Sequence, residues 1–269
     1  MMEVENNILI PTDFSEQSSI AIGQSYNIAR FTKSCLTLLY VLDGSYTEEE
    51  AKNKMIILAR DIASNAGLEV KTKICKGDVT SEIIKTAKEL NAILIFLGTR
   101  SYAPLKKFMS YKAFKLVRNP PCPIITIKGK THRQGCGNII LPLDLTAETK
   151  EKVETAIDFA KFFGASISIV SVTDTRDKEL FSKLIIFSEQ VKNYILKKGV
   201  SCTLETLEGN DIARMVVDYA NKRNGDLIMI MAKENLNMKE LIMGSTAQQI
   251  MNLSDIPVFS MLPKNSALL

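Results

Sequence analysis

Two short segments place a proline, a carboxylate and a small hydroxyl in the same order, Pro11-Thr12-Asp13-Phe14-Ser15 and Pro142-Leu143-Asp144-Leu145-Thr146. Each follows an apolar run, so each Asp stands where a strand ends. A carboxylate there accepts a hydrogen bond from an adenine amino group or a ribose hydroxyl. The same residue types also cap a following helix, which needs no ligand. A third segment, Gly244-Ser245-Thr246-Ala247-Gln248, opens a helix. Glycine lets backbone approach a phosphate, and the free N–H groups of a helix start, with a Ser or Thr hydroxyl, bind the anion. Ser245 with Gln248 also matches a capping box, so both readings stay open. The matching place in the first half reads Gly98-Thr99-Arg100-Ser101, then eight residues, then Ser110-Tyr111-Lys112. A serine and a bulky tyrosine replace the glycine and small hydroxyl there, and Arg100, Lys106, Lys107 and Lys112 read as a solvated basic face.

Other chemistries find no parts. The single histidine, His132, lies in a polar stretch without carboxylate or cysteine partners. The five cysteines, Cys35, Cys75, Cys122, Cys136 and Cys202, are odd in number and unclustered, which argues against a disulfide framework or a zinc site and for reducing surroundings. No nucleophile sits beside a base, and no Ser-Gly-Gly-x-Asp-Ser loop follows the first strand, so catalytic and metal residues are expected to be none. A net charge of +4 reads as solubility charge, not as a nucleic-acid footprint. Apolar runs such as Ala92 to Leu97 are too short to span a bilayer, and the expected place is the cytoplasm.

The elements that position these segments come in two copies. Ile8-Leu9-Ile10-Pro11-Thr12-Asp13 recurs as Ile139-Ile140-Leu141-Pro142-Leu143-Asp144, and Ile28-Ala29-Arg30-Phe31 as Phe159-Ala160-Lys161-Phe162. Pro123-Ile124 recurs as Pro257-Val258. Short apolar runs alternate with helical patterns, which predicts strands over 7–11, 35–41, 69–75, 92–97 and 124–128 and helices over 15–32, 47–66, 79–90 and 112–118 in the first copy. The second copy reads as strands over 138–142, 166–172, 201–207, 226–231 and 257–260, with helices over 146–163, 179–198, 211–224 and 246–253. Val153, Ala156, Ile157, Ala160 and Phe163 form one buried stripe; Met55, Leu58 and Ile62, like Met215, Val216 and Tyr219, read as core. The fold class is therefore α/β, two tandem doubly wound domains. The expected boundaries are domain 1 over 1–129, a glycine-rich linker over 130–137, domain 2 over 138–263 and a flexible tail over 264–269.

The strand, Pro-x-Asp, long helix and strand ending in Val, with Leu97-Gly98-Thr99 and later Pro121-Cys122-Pro123-Ile124, resembles the universal stress protein family over nearly the whole chain, twice. That resemblance implies a five-stranded parallel sheet in each domain, order 3-2-1-4-5, with the halves packed as an intramolecular pseudo-dimer and a homodimer of the chain as a further option. It implies a stress-response regulatory or ligand-sensing protein, not an enzyme, with an unknown protein partner and an adenine nucleotide, ATP, as ligand. The family's ATP motif is a Gly, two residues, Gly, nine residues, then Gly-Ser or Gly-Thr. The first copy keeps Gly98 but has Ser101 and Ser110-Tyr111; the second aligns Ala232 and Asn235 with the first two glycines and keeps Gly244-Ser245. Carried over, the adenine and ribose contacts fall on Pro142, Leu143, Asp144 and Val172, and the phosphate contacts on Asn235, Gly244, Ser245 and Thr246. Pro11, Thr12, Asp13 and Val41 are the first-copy counterparts, beside Gly98. The alternative is an interaction scaffold, or a binder of another small ligand, with both ATP motifs degraded.

Overall fold

The computed structural model describes residues 6–99, 116, 120–129, 135–145, 149–173, 178–232 and 246–262. The chain divides into two compact units, Met1–Gln134 and Gly135–Leu269. In unit 1, strands β1 (Asn7–Pro11), β2 (Cys35–Leu42), β3 (Val70–Lys76), β4 (Ala92–Gly98) and β5 (Ile124–Ile127) alternate with helices α1 (Glu16–Thr32), α2 (Glu48–Ala66) and α3 (Val79–Glu89). In unit 2, β6 (Asn138–Leu143), β7 (Ser166–Thr173), β8 (Cys202–Glu208), β9 (Leu227–Met231) and β10 (Val258–Met261) alternate with α4 (Thr149–Phe163), α5 (Lys178–Lys197), α6 (Ile212–Lys222) and α7 (Thr246–Leu253). Strand order is β3-β2-β1-β4-β5 in the first and β8-β7-β6-β9-β10 in the second. The pairings within each are parallel, which is the doubly wound arrangement expected from the sequence. Of the expected helix over 112–118 only Leu116, a buried residue, is described.

The central strands are continuous apolar runs because helices cover both faces. Ile8, Leu9, Ile10, Leu36, Leu38 and Ile95 are fully buried, as are Ile139, Ile140 and Leu141 in unit 2. The outer strands β3 and β8 face water on part of their surface and carry Lys71, Lys73, Lys76, Glu205 and Glu208, charges that discourage pairing at a sheet edge. Helix ends follow local chemistry. Ser15 caps α1 by accepting the Ser18 N–H, and Thr47 with Glu50 forms a full capping box on α2. Gly67 ends α2 at φ +64°, a left-handed conformation that glycine adopts without strain. The stripe Val153, Ala156, Ile157 and Ala160 is buried and Phe163 half-buried; Met55, Ile62, Val216 and Tyr219 are buried while Leu58 and Met215 are half-buried.

Replacing Thr47 by Ala removes the hydroxyl that accepts the Glu50 N–H and donates to the Glu50 carboxylate, leaving the bond from its own N–H to Glu50, and is expected to cost about 1 kcal/mol, read as a lower denaturant midpoint at unchanged slope. Burial pushes the thiols of Cys122 and Cys202 up to about 12. Both stay protonated in the native state while the unfolded chain ionises above its ordinary thiol range, so their contribution to stability is lost as pH rises from that range toward 12. Native protein at pH 8 is expected to react slowly at both with a maleimide, and urea-unfolded protein rapidly; equal rates would contradict this.

Candidate functional site

Because strands within each unit are parallel, their carboxyl ends and the starts of the following helices share one edge, where a ligand meets an open α/β sheet at the reversal of strand order. In unit 1 that reversal is at β1, flanked by β2 and β4. The β1–β2 ladder runs to Pro11–Leu39, whereas the β1–β4 pairing goes as far as Leu9–Ile95, so the two sides part toward the carboxyl edge. The Thr12 N–H continues toward β2 by donating to the Leu39 carbonyl at 2.8 Å. The buried Thr12 hydroxyl donates to the Ser18 Oγ at 3.1 Å and accepts the Phe14 N–H at 3.1 Å. Asp13 is exposed, and its carboxylate accepts the Ser15 N–H at 3.0 Å. Asp13 thus shapes the turn while Ser15 caps the helix, the simpler of the two tasks open to these residues.

Phe14 sits at φ +59°, which turns its ring onto Tyr40 and Tyr46 with centroids 4.9 and 5.6 Å away. The Lys54 ammonium lies over the rings of Tyr46 and Phe14, at 4.8 and 5.3 Å. The Tyr40 hydroxyl donates to the Asp43 carboxylate at 3.3 Å. Burial and the neighbouring Asp43 push the Tyr40 phenol up to about 12, whereas the Ser45 N–H holds Asp43 below the usual carboxylate range. The phenol is therefore a donor across the neutral range, and Val41 is buried beside it in β2. Gly98 has a separate duty: a Cβ there would stand 2.6 Å from the backbone carbon and oxygen of Gln17 and 2.8 Å from the Ser18 nitrogen. The start of α1 presses onto the end of β4, and only glycine permits it.

Unit 2 repeats the frame with different side chains. The Ser34 N–H to Ala29 carbonyl bond recurs as Ala165 N–H to Ala160, so α1 and α4 match residue for residue from their shared sequence repeat. Pro142 and Leu143 end β6, exposed Asp144 follows, and buried Val172 lies at the carboxyl end of the adjacent β7. Thr246 is the first residue of α7 and is half-buried. Asn235, Gly244, Ser245 and His132, like Arg100, Ser101, Lys106, Lys107, Ser110, Tyr111 and Lys112, lie outside the described residues.

One alignment is corrected by the ladders. Leu9 pairs with Ile95 as Ile140 pairs with Ile228, and Gly98 pairs with Ile127 as Met231 pairs with Met261. The register therefore sets Met231, not Ala232, at the place of Gly98. The Ala232 N–H donates to the Met261 carbonyl at 2.8 Å, the counterpart of Thr99 donating to Ile127. A residue that the motifs did not single out also emerges: Lys152, in α4, is only 5% exposed and its ammonium donates to the Pro142 carbonyl at 2.6 Å. Its signal was legible, since Lys152 precedes Ala156 by one helical turn and so falls on the buried stripe. Among the described residues no cluster of three or more His, Cys, Asp or Glu could hold a metal ion. No described helix is long and apolar enough to cross a membrane.

The model of the universal stress protein family matches residues 5–128 and again 136–259. The chain belongs to that family. Each match falls within one of the two units, making this a tandem universal stress protein. A universal stress protein of Methanocaldococcus jannaschii is 26% identical over 137 residues, 45% of this chain and 81% of that protein. A putative universal stress protein of Staphylococcus aureus strain USA300 is 28% identical over 138 residues, 45% of this chain and 83% of the relative. Among solved structures, a universal stress protein of Archaeoglobus fulgidus superposes with a TM-score of 0.79 at 20% identity, covering 96% of this chain and 99% of that one, a likeness of fold.

In this universal stress protein, Gly98→Ala forces the start of α1 away from β4 and is expected to destabilise unit 1 by about 1–3 kcal/mol, the range of an overpacked core. Thermal unfolding followed by circular dichroism reads the shift; an unchanged midpoint would contradict the close approach.

Proposed function

We propose that this tandem universal stress protein is a non-enzymatic, cytoplasmic ligand sensor of the stress response whose second unit binds an adenine nucleotide, ATP, with a protein partner reading the bound state. The observation that carries this reading is the carboxyl edge of β6 and β7, where Pro142, Leu143, exposed Asp144 and Val172 stand on adjacent strands. Asp144 accepts from the amino or hydroxyl groups of the nucleoside. Asn235, Gly244, Ser245 and Thr246 take the phosphates by backbone N–H and hydroxyl donors, with Thr246 heading α7. Unit 1 is proposed to lack a phosphate cradle: Asp13 and Val41 keep their places, but the start of α1 stands against the Cα of Gly98.

A second reading has its own observation. Ile56 and Ile57 on α2, and Ile185 and Ile186 on α5, are exposed apolar side chains on the same helix of each unit. Such surfaces suit an interaction scaffold, in which ATP has no part.

Titration calorimetry with ATP separates the two. About one ATP per chain is expected for the native protein, none for Gly244→Tyr, which fills the cradle, and binding weakened about tenfold or more for Asp144→Ala, which loses a charge-assisted hydrogen bond. ATP is expected to be recovered unhydrolysed. No heat with the native protein would discard the nucleotide reading in favour of the scaffold.

A further inference from the structure

We propose that helix α2 of unit 1 docks in parallel and in register against helix α5 of unit 2 in a second copy of the chain, so that the protein associates with itself through these two helices. The inference takes the exposed isoleucines of the scaffold reading and names what covers them; it rests on that reading and owes nothing to the nucleotide site. α2 and α5 are the same helix of the two units. Met55, Ile62 and Ala66 are buried in α2, and Leu184, Val191 and Ile195, each the same number of residues further on, are buried in α5. That register matches Ile56 with Ile185 and Ile57 with Ile186. Their exposures agree, 44% with 38% and 58% with 59%. An apolar pair that faces water at one place in both copies, on helices whose other outward residues differ, points to something outside its own unit.

The residues between the isoleucines identify the partner. Glu49, Asn53, Arg60 and Ser64 are exposed, and each stands two residues before Ala51, Met55, Ile62 or Ala66, all buried. Two residues make a little over half a helical turn, so these four form the outermost line of α2, with Ile56 on one flank and Ile57 on the other. The matched line of α5 is Lys178, Ser182, Glu189 and Asn193, also exposed. Laid side by side in parallel, the two lines set Glu49 against Lys178 and Arg60 against Glu189, with Asn53 against Ser182 and Ser64 against Asn193. Both charged pairs are opposite in sign, and both polar pairs couple a donor to an acceptor. The other pairings lack this. Two α2 helices in parallel bring Glu49 to Glu49 and Arg60 to Arg60, and two α5 helices repeat the fault with Lys178 and Glu189. Antiparallel pairs centred on the isoleucines set each of these charges against an uncharged residue. Among the described residues Glu49, Arg60 and Lys178 enter no ion pair, and Glu189 pairs with Lys192 of its own helix at 3.2 Å. A carboxylate accepts from a second cation without leaving the first. Charges at such a contact select the partner more than they tighten it, and the isoleucines on both flanks supply the apolar burial.

Sedimentation velocity of the full chain, at concentrations between about 1 and 300 µM, reads the association by mass action. One variant, Glu49→Lys with Arg60→Glu, reverses the line on α2; another, Lys178→Glu with Glu189→Lys, reverses the line on α5. All four residues are exposed, so circular dichroism is expected to be unchanged in both. The native chain is expected to associate as concentration rises and to come apart with added salt. Each reversed variant alone is expected to weaken the association at least about tenfold. An equimolar mixture of the two is expected to recover it, since each reversed line then meets its reversed complement and each native line its native one. Ile57→Gln with Ile186→Gln is expected to weaken it likewise. A native chain that stays monomeric throughout overturns the proposal and leaves the scaffold reading to a different partner. Association that survives both reversals overturns it too, by placing the contact on another face. Weakening without recovery in the mixture also overturns it, because complementary lines must restore one another.

Discussion

A parallel sheet covered by helices on both faces leaves a polar group little room except at the ends of its strands. Everything functional in this chain follows from that restriction. The central strands of both units are buried along almost their whole length, so their residues answer to packing. Polar choice is displaced to the carboxyl edge, where β1 and β6 stop and the chain must turn into a helix. The reversal of strand order at β1 and β6 then splits that edge, because crossovers leave in opposite directions on either side. Thr12, Asp13 and Ser15 in one unit, and Leu143, Asp144 and Lys152 in the other, are what the chain places at the split.

How closely helix and sheet meet at that split decides what the edge can do. Gly98 allows backbone against backbone, with Thr12 and Ser18 linking their hydroxyls and an aromatic group of Phe14, Tyr40 and Tyr46 closing the turn beneath Lys54. That edge is made of rings and hydroxyls. With Met231 and Lys152 in the matching places, the second edge is made of an aliphatic chain and a cation. Two copies of one scaffold thus present different chemistry from the same topological position.

Most of the fold was legible because its signals are local and periodic. Continuous apolar runs gave the strands, and threefold and fourfold spacing gave the helices, with ends set by Ser15, Thr47 and Gly67. Strand register was not legible by counting along the repeat, since an offset that suits Pro123 and Pro257 misplaces the β4–β9 equivalence by one residue. Pairing is set by hydrogen bonds between strands distant in sequence, such as Ile95 to the Pro123 carbonyl and Ile228 to the Pro257 carbonyl. Gly98 likewise has a packing duty that its motif does not show, since what lies opposite it is the Gln17 backbone. Lys152 matches no motif spacing, and its signal is its place on an apolar stripe.

Lys152 is a costly side chain to bury. Transferring an ammonium from water to an interior costs several kcal/mol, and apolar residues of similar volume are often as stabilising or more so. The first unit makes the apolar choice at this position with Ala21, which is fully buried, and its sheet and helix pack closely. The bond to the Pro142 carbonyl is one compensation, a hydrogen bond to a charged group being worth about 1.5–3 kcal/mol. The ammonium also sits at the end of β6 and not along its buried length, which is where desolvating a cation is least costly. The two units thus settle one helix position by opposite means, an alanine packed into the core and a lysine whose charge is held at a strand end.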